Sequence, residues 1–285
     1  MNGLRPRRVA GWLRKLRRWP TITLLALVAA ACVTSPTGRR QFMIVSPETA
    51  IAQSAVAYLD TVRRLEAENK LLNDPVAAGR VAEIAGRVVG AAVAQYPHTA
   101  GWQWSIALVD EPDTPNAWCM AGGRMAIYSG LMEKLDLSDD ELAHIVGHEV
   151  SHAIAHHPAE RMSIVLATQA GLMAAAAHEE DPEVLVGAAL AAQLAIALPN
   201  SRASEAEADL LGMELASRAG YEPAAAVSMW GKLQEASEVR IPEFLNTHPS
   251  SANRRERLSE LVARMSQLTP EARPEPYPVE IITAD

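Results

Sequence analysis

The chain has 285 residues, with 26 Lys plus Arg, 34 Asp plus Glu, 8 His and 2 Cys. Its length gives one large or two small domains with a real core, and 49% hydrophobic against 21% charged residues excludes a disordered body. Two cysteines exclude a disulfide scaffold and a Cys-rich zinc finger. Seven basic residues (Arg5, Arg7, Arg8, Arg14, Lys15, Arg17, Arg18) and no acid stand in residues 1–31, leaving 19 basic against 34 acidic groups, a net of −15. So acidic a body repels phosphates, and no nucleic-acid partner is expected.

The N-terminus reads as an address. After the basic stretch, residues Ile22 to Ala31 are apolar but for Thr23, too short to span a bilayer and the length of a signal-peptide core. Ala29-Ala30-Ala31 directly before Cys32 resembles a bacterial lipoprotein signal, with Cys32 acylated after cleavage. Position 29 departs from the usual Leu or Val, so an ordinary cleaved signal and an uncleaved anchor stay open. Each reading exports the rest of the chain. Val33 is not the aspartate that retains lipoproteins at the inner membrane, so a lipid anchor in the outer membrane, facing the periplasm, is expected.

The body predicts mostly helices. Ser46-Pro47-Glu48 starts one, carried by apolar residues from Ile51 to Leu65, and Asp74-Pro75 starts a second that runs toward Tyr96. Residues 102–109 alternate as a strand, and 118–120 with 125–128 form a hairpin about Gly122-Gly123. Ser138-Asp139-Asp140-Glu141 is a capping box opening a helix expected to run to Pro158. Ala-rich runs at 162–177 and 184–198 read as a packed helical pair, with a membrane-dipping hairpin as the alternative. Ser204 opens another helix that stops at Gly220, Pro223 begins the next, and a last one lies near 251–266. From Thr269, prolines at 270, 274, 276 and 278 predict an extended tail.

The chemistry sits in His148-Glu149-Val150-Ser151-His152, an HExxH pattern inside the predicted helix of 138–157. Residues four apart share a helix face, so both imidazoles reach one metal ion. Glu149, about 100° round the helix, suits a base that holds a metal-bound water. The bland alternative is a helix with two solvent-facing histidines. A catalytic zinc needs a third protein ligand and an open position. His156 and His157 are candidates, but Ala155 and Pro158 stand where the metzincin pattern demands Gly and His. Downstream, Glu205 and Asp209 share a helix face, so Glu205 can bind the metal while Asp209 holds the free ring nitrogen of a ligand histidine. Glu207 points elsewhere and reads as a solvated carboxylate.

Around this motif the chain resembles the HtpX-like and CAAX-prenyl-protease-type zinc metallopeptidases, including their bacterial lipoprotein members. The resemblance covers roughly residues 36–265. It rests on Thr37-Gly38-Arg39-Arg40, Asn116-Ala117, Gly122-Gly123, Glu141-Leu142-Ala143 and the HExxH segment. It continues through His157, Ala159-Glu160-Arg161, Glu205 to Asp209, Gly220-Tyr221, Thr247-His248-Pro249 and Arg254. It implies one zinc ion at His148, His152 and Glu205, Glu149 as the base, and Asp209 behind a ligand. Trp118-Cys119-Met120-Ala121 departs from many relatives and leaves substrate preference open. The chain also lacks the clear membrane spans of the integral-membrane relatives.

Other residues weigh less. His248, in a loop-like segment, reads as a fourth ligand that blocks the water, an oxyanion stabiliser, or a structural residue. Arg254 anchors that loop through an acid or is a surface charge. His144 reads as packing or support, and Cys119 as a small buried hydrophobe, with a redox-sensitive thiol as the alternative.

The expected fold is therefore α+β and mostly helical. It is a zincin-like metallopeptidase domain at 36–266, with a small sheet and an HExxH helix, a signal peptide at 1–31 and a Pro-rich tail at 269–285. The expected activity is zinc-dependent endopeptidase hydrolysis of protein or peptide substrates, with misfolded or stalled envelope proteins implied by the resemblance. A zinc-containing chaperone or assembly factor with little proteolysis is the alternative. The sequence sets no oligomeric state.

Overall fold

A computed structural model describes residues 32–177, 182–192, 198–239, 243–248 and 253–284; the expected signal segment 1–31 lies outside them. The chain divides into two units, Met1–Ile44 and Val45–Asp285. In the first, β1 (Cys32–Thr34) pairs antiparallel with β2 (Arg40–Phe42), Cys32 opposite Phe42. Gly38 turns the chain between them at φ 88°, a conformation that L side chains resist.

The second unit opens with two helices whose starts are written locally. In α1 (Pro47–Ala67) the Ser46 hydroxyl accepts from the Thr49 N–H, and in α2 (Pro75–Gln95) the Asp74 carboxylate accepts from Val76 and Ala77. In each, Pro sits in the first turn, where its missing N–H removes nothing. The expected strand at 102–109 begins only at Ser105. Residues Pro97–Gly101 form a 3-10 turn, and the Trp104 indole N–H donates back to Thr99 O, folding the lead-in over that turn.

Three strands follow: β3 (Ser105–Val109), β4 (Ala117–Met120) and β5 (Arg124–Tyr128). With β6 (Glu280–Ile282) they form one sheet in the order β4-β5-β3-β6. The β4–β5 pairing is the expected hairpin, antiparallel, with Gly122 and Gly123 at φ 86° and 84°. Strand β3 is parallel to both neighbours and wholly buried, which suits its unbroken apolar run. Strand β4 is left as an edge.

The remaining helices are α3 (Ser129–Lys134), α4 (Asp139–Ile154), α5 (His157–Ala176), α6 (Pro182–Ala192) and α7 (Leu198–Arg218). They continue with α8 (Ala225–Val239), α9 (Glu243–Thr247) and α10 (Arg254–Ser266). Helix α4 starts on the predicted capping box, with both reciprocal bonds of Ser138 and Glu141 made. It stops at Ile154, before the expected Pro158. His156 is left-handed (φ 56°), and that residue breaks the helix so that Pro158 falls in the first turn of α5. Helices α5 and α6 pack on each other as the expected pair, while residues 178–181 and 193–197 lie outside those described. No helix among the described residues is long and apolar enough to cross a membrane.

The core joins α2, α4, α7 and α8 to one face of the sheet. The proline-rich stretch is extended, and it is docked. The Tyr277 N–H donates to Gly86 O, and the Arg273 guanidinium lies 4.4 Å over the Tyr221 ring. A Cβ at Gly86 would meet Tyr277 O at 2.7 Å, so glycine inside α2 is what lets the strand pass. The mostly helical α+β architecture agrees with the sequence.

Candidate metal centre

Helix α4 carries His148, Glu149 and His152, and α7 carries Glu205, Glu207 and Asp209. The two helices touch backbone to backbone. A Cβ on Gly147 would lie 2.6 Å from Gly212 O, and one on Gly212 would lie 2.6 Å from the His148 N. Two glycines therefore set the spacing that brings carboxylates from α7 onto histidines of α4.

Four side chains converge there: His148, His152, Glu205 and His248, all buried. His148 Nε2 lies 3.1 Å from His152 Nε2 and 3.3 Å from Glu205 Oε2. His152 Nε2 is 3.4 Å from Glu205 Oε1. His248 Nδ1 is 3.2 Å from both His148 Nε2 and Glu205 Oε1. Nitrogen and oxygen ligands at about 2.0–2.1 Å from a tetrahedral zinc are about 3.3–3.4 Å apart. The donors present are thus spaced as ligands of one small cation, and their chemistry, imidazole plus carboxylate, suits zinc.

The electrostatics agree. Burial penalises the Glu205 anion, yet His148 and His248 hold its carboxyl well below the usual range. Burial alone would lower His148, but the carboxylates of Asp209 and Glu205 raise it to about 9. Burial pushes His152 well below its ordinary value, which favours the neutral ring that offers one nitrogen lone pair to a metal. Carboxylates this dehydrated favour positive charge at the position the donors surround.

Asp209 Oδ1 lies 3.2 Å from His148 Nδ1. Arg254 is a buried partner, not a surface charge. It donates from Nε to Asp209 Oδ2 (2.7 Å), and from Nη2 to Asp209 Oδ1 (2.6 Å) and Glu205 Oε2 (3.2 Å). The Trp230 ring, which belongs to no motif, lies 3.5 Å beneath its guanidinium. His248 follows a short helix rather than a loop: its N–H donates to Phe244 O, and the Phe244 N–H donates to Pro115 O at the approach to β4. Its Nε2 lies 3.2 Å from Glu149 Oε1. Burial raises the Glu149 carboxyl, against the pull of His248 and His148.

Two expectations are corrected. Glu207 is not solvated: it is buried and accepts from His157 Nε2 at 3.2 Å. Helix α7 is enclosed on several sides here, with Ser204, Glu205, Glu207, Ala208 and Asp209 all buried, so a carboxylate turned away from the centre meets α5 rather than water. His156 and His157 are not among the converging donors.

His144, one turn before His148, is a supporting residue. Its Nε2–H donates to Glu222 O at 2.9 Å, while its buried Nδ1 has no partner. A second proton would be buried unsatisfied, so burial lowers this imidazole from its ordinary 6.5 to about 4. The folded state therefore favours neutral His144. That stability is fully present above pH 6.5 and is lost as pH falls toward 4. The gap corresponds to about 3 kcal/mol. Urea midpoints of wild type and His144→Gln, whose amide can still reach Glu222 O, should converge or cross across that window. Parallel pH curves would contradict it.

Sheet, HExxH helix and buried His/Glu cluster together make a zincin-like domain. The model of peptidase family M48 matches residues 75–262, and the chain belongs to that family. It is 34% identical over 163 residues to mitochondrial metalloendopeptidase OMA1 of Arabidopsis thaliana, covering 57% of this chain and 32% of that one. It is 34% identical over 145 residues to metalloprotease LoiP of Escherichia coli (strain K12), covering 49% and 55%. To the beta-barrel assembly-enhancing protease of Yersinia pestis it is 28% identical over 220 residues, covering 73% and 43%. The chain thus spans less than two thirds of the length of these relatives. The family bears out the resemblance read from the motifs.

Proposed function

We propose that this chain is a zinc-dependent endopeptidase, with His148, His152 and Glu205 as ligands of one ion and Glu149 as general base. The observation that carries the reading is the set of five donor–donor separations of 3.1–3.4 Å among His148, His152, Glu205 and His248. Zinc in such a site supplies a Lewis acid that polarises a carbonyl and lowers the pKa of water. Glu149 lies beside the cluster and outside it. Burial raises its carboxyl, which makes it a stronger base for the proton of an attacking water. Strand β4 packs against α4 at the edge of the sheet, where an extended peptide could pair with it.

With zinc bound, His248 would hold the fourth position, the one an attacking water needs, and would have to swing away in the working form. That placement also favours a second reading, a zinc-containing chaperone or assembly factor with little proteolysis. Casein hydrolysis by wild type and His248→Ala separates the two. The peptidase reading expects the variant to be faster by roughly tenfold, the factor that 1.4 kcal/mol in favour of the closed form imposes. Zinc-loaded variants that cleave nothing would contradict it and favour the chaperone.

The proposal extends to place and substrate. Export and acylation of Cys32 are supported by the basic, apolar and small-residue pattern of residues 1–32. Membrane proximity is supported by α5 and α6, where Val165, Leu166, Met173, Val184, Val186 and Leu190 are exposed. Misfolded or stalled envelope proteins at the periplasmic face of the outer membrane are the substrates this reading favours. Cys32→Ser should move the protein from the membrane to the soluble fraction; unchanged retention would contradict the lipid anchor.

A further inference from the structure

His152 and His148 are supported from behind in different ways. Behind His148 stands a carboxylate, Asp209, 3.2 Å from Nδ1. Behind His152 stands a second imidazole. His157 Nδ1 lies 2.9 Å from His152 Nδ1, and His157 Nε2 lies 3.2 Å from Glu207 Oε2. His152, His157 and Glu207 are all buried. The geometry requires the left-handed residue His156, which reverses the chain at the end of α4 and sets His157 against the last turn of that helix.

Proton placement follows from the chemistry. If His152 offers Nε2 to a metal, its neutral ring carries the proton on Nδ1, which donates to the bare Nδ1 of His157. His157 then carries its own proton on Nε2 and donates it to Glu207. With Glu207 ionised and both rings neutral, only one tautomer of each ring satisfies both contacts. A carboxylate at the far end fixes that choice, as an acid placed directly behind a ligand would.

We propose that His157 and Glu207 are positioning residues that lock His152 in its metal-binding tautomer and orientation through this buried imidazole–imidazole–carboxylate relay. The proposal rests on the zinc reading above. It places three carboxylates of one helix in service of one centre: Glu205 in front of the histidines, Asp209 behind His148, and Glu207 behind His152 at one remove.

The test is zinc affinity of the full chain, by competition with a chromophoric chelator, beside thermal unfolding of the metal-free forms. His157→Phe removes both nitrogens and should weaken zinc binding 10- to 100-fold. His157→Gln restores an acceptor for His152 and a donor for Glu207, and should recover most of that loss. Glu207→Leu should weaken binding as His157→Phe does, and the double variant should lose no more than the worse single one, because Glu207 acts through His157. Equal affinities in wild type and His157→Phe would overturn the relay. So would equal losses in the Phe and Gln variants, or losses that add in the double variant. If His157→Phe fails to fold, the Gln and Leu variants decide alone, with unchanged affinity in Glu207→Leu overturning the proposal. Absence of zinc from the wild type would overturn the metal reading itself, a result distinct from zinc that binds with no regard to His157.

Discussion

On the proposed mechanism, Glu149→Gln should lower peptide hydrolysis by about 10²–10⁴-fold while zinc content stays at the wild-type level. The side chain stands beside the cluster, 3.2 Å from His248, and is not one of the four converging donors. The amide keeps the shape and loses the basic oxygen, so a base proposed to act there would have no site to hold the proton. Burial matters to the size of the effect. It raises the Glu149 carboxyl above its ordinary range, and His248 and His148, with the Cys119 backbone N–H, restrain that rise. A glutamine enzyme that turns over at the wild-type rate would remove Glu149 from the chemistry. One that loses its zinc would instead make it a ligand.

Arg254→Leu destabilises the fold by about 3–5 kcal/mol and weakens the metal centre. Arg254 is among the largest fully buried side chains, and it clamps Asp209 through two nitrogens. Without it, Asp209 is a buried charge whose remaining partner is a metal-facing histidine, and the Trp230 face loses its cation. Asp209→Asn in the same chain should recover part of the loss, because it removes the stranded charge. Arg254→Lys should fall between, since an ammonium cannot match the two-pronged contact. Guanidinium melts of the three variants read all of this. A loss below about 1 kcal/mol for Arg254→Leu would show that Asp209 finds water or another partner.

Much of this was legible in the chain, and the reason is locality. Ser46-Pro47, Asp74-Pro75 and the Ser138–Glu141 box announce helices because a cap needs only residues two or three apart. Gly122-Gly123 announces the hairpin because positive φ is a property of single residues. His148, Glu149 and His152 share one helix, and Glu205 with Asp209 share another, so each set could be found by spacing. What joins them could not. The parallel β3–β6 pairing reaches from Ser105 to Glu280 and leaves no local trace. Glu207 reads as solvated because its neighbours in sequence do not say that α5 covers it. His157 is one residue from a helix break whose left-handed hinge, His156, has no glycine to mark it. Arg254 and His248 are polar residues buried against carboxylates at least 43 positions away. Local patterns state what an element is; they do not state which face of it the rest of the chain will dehydrate.

The central claim is that one zinc ion sits between α4 and α7. The most direct test is the metal-to-protein ratio of the purified chain, measured by elemental analysis for wild type, Glu149→Gln, His152→Ala and Glu205→Ala. The expected result is one zinc per chain in the first two and little in the last two, all four remaining folded by circular dichroism. Folded His152→Ala and Glu205→Ala proteins that keep a full zinc would contradict it.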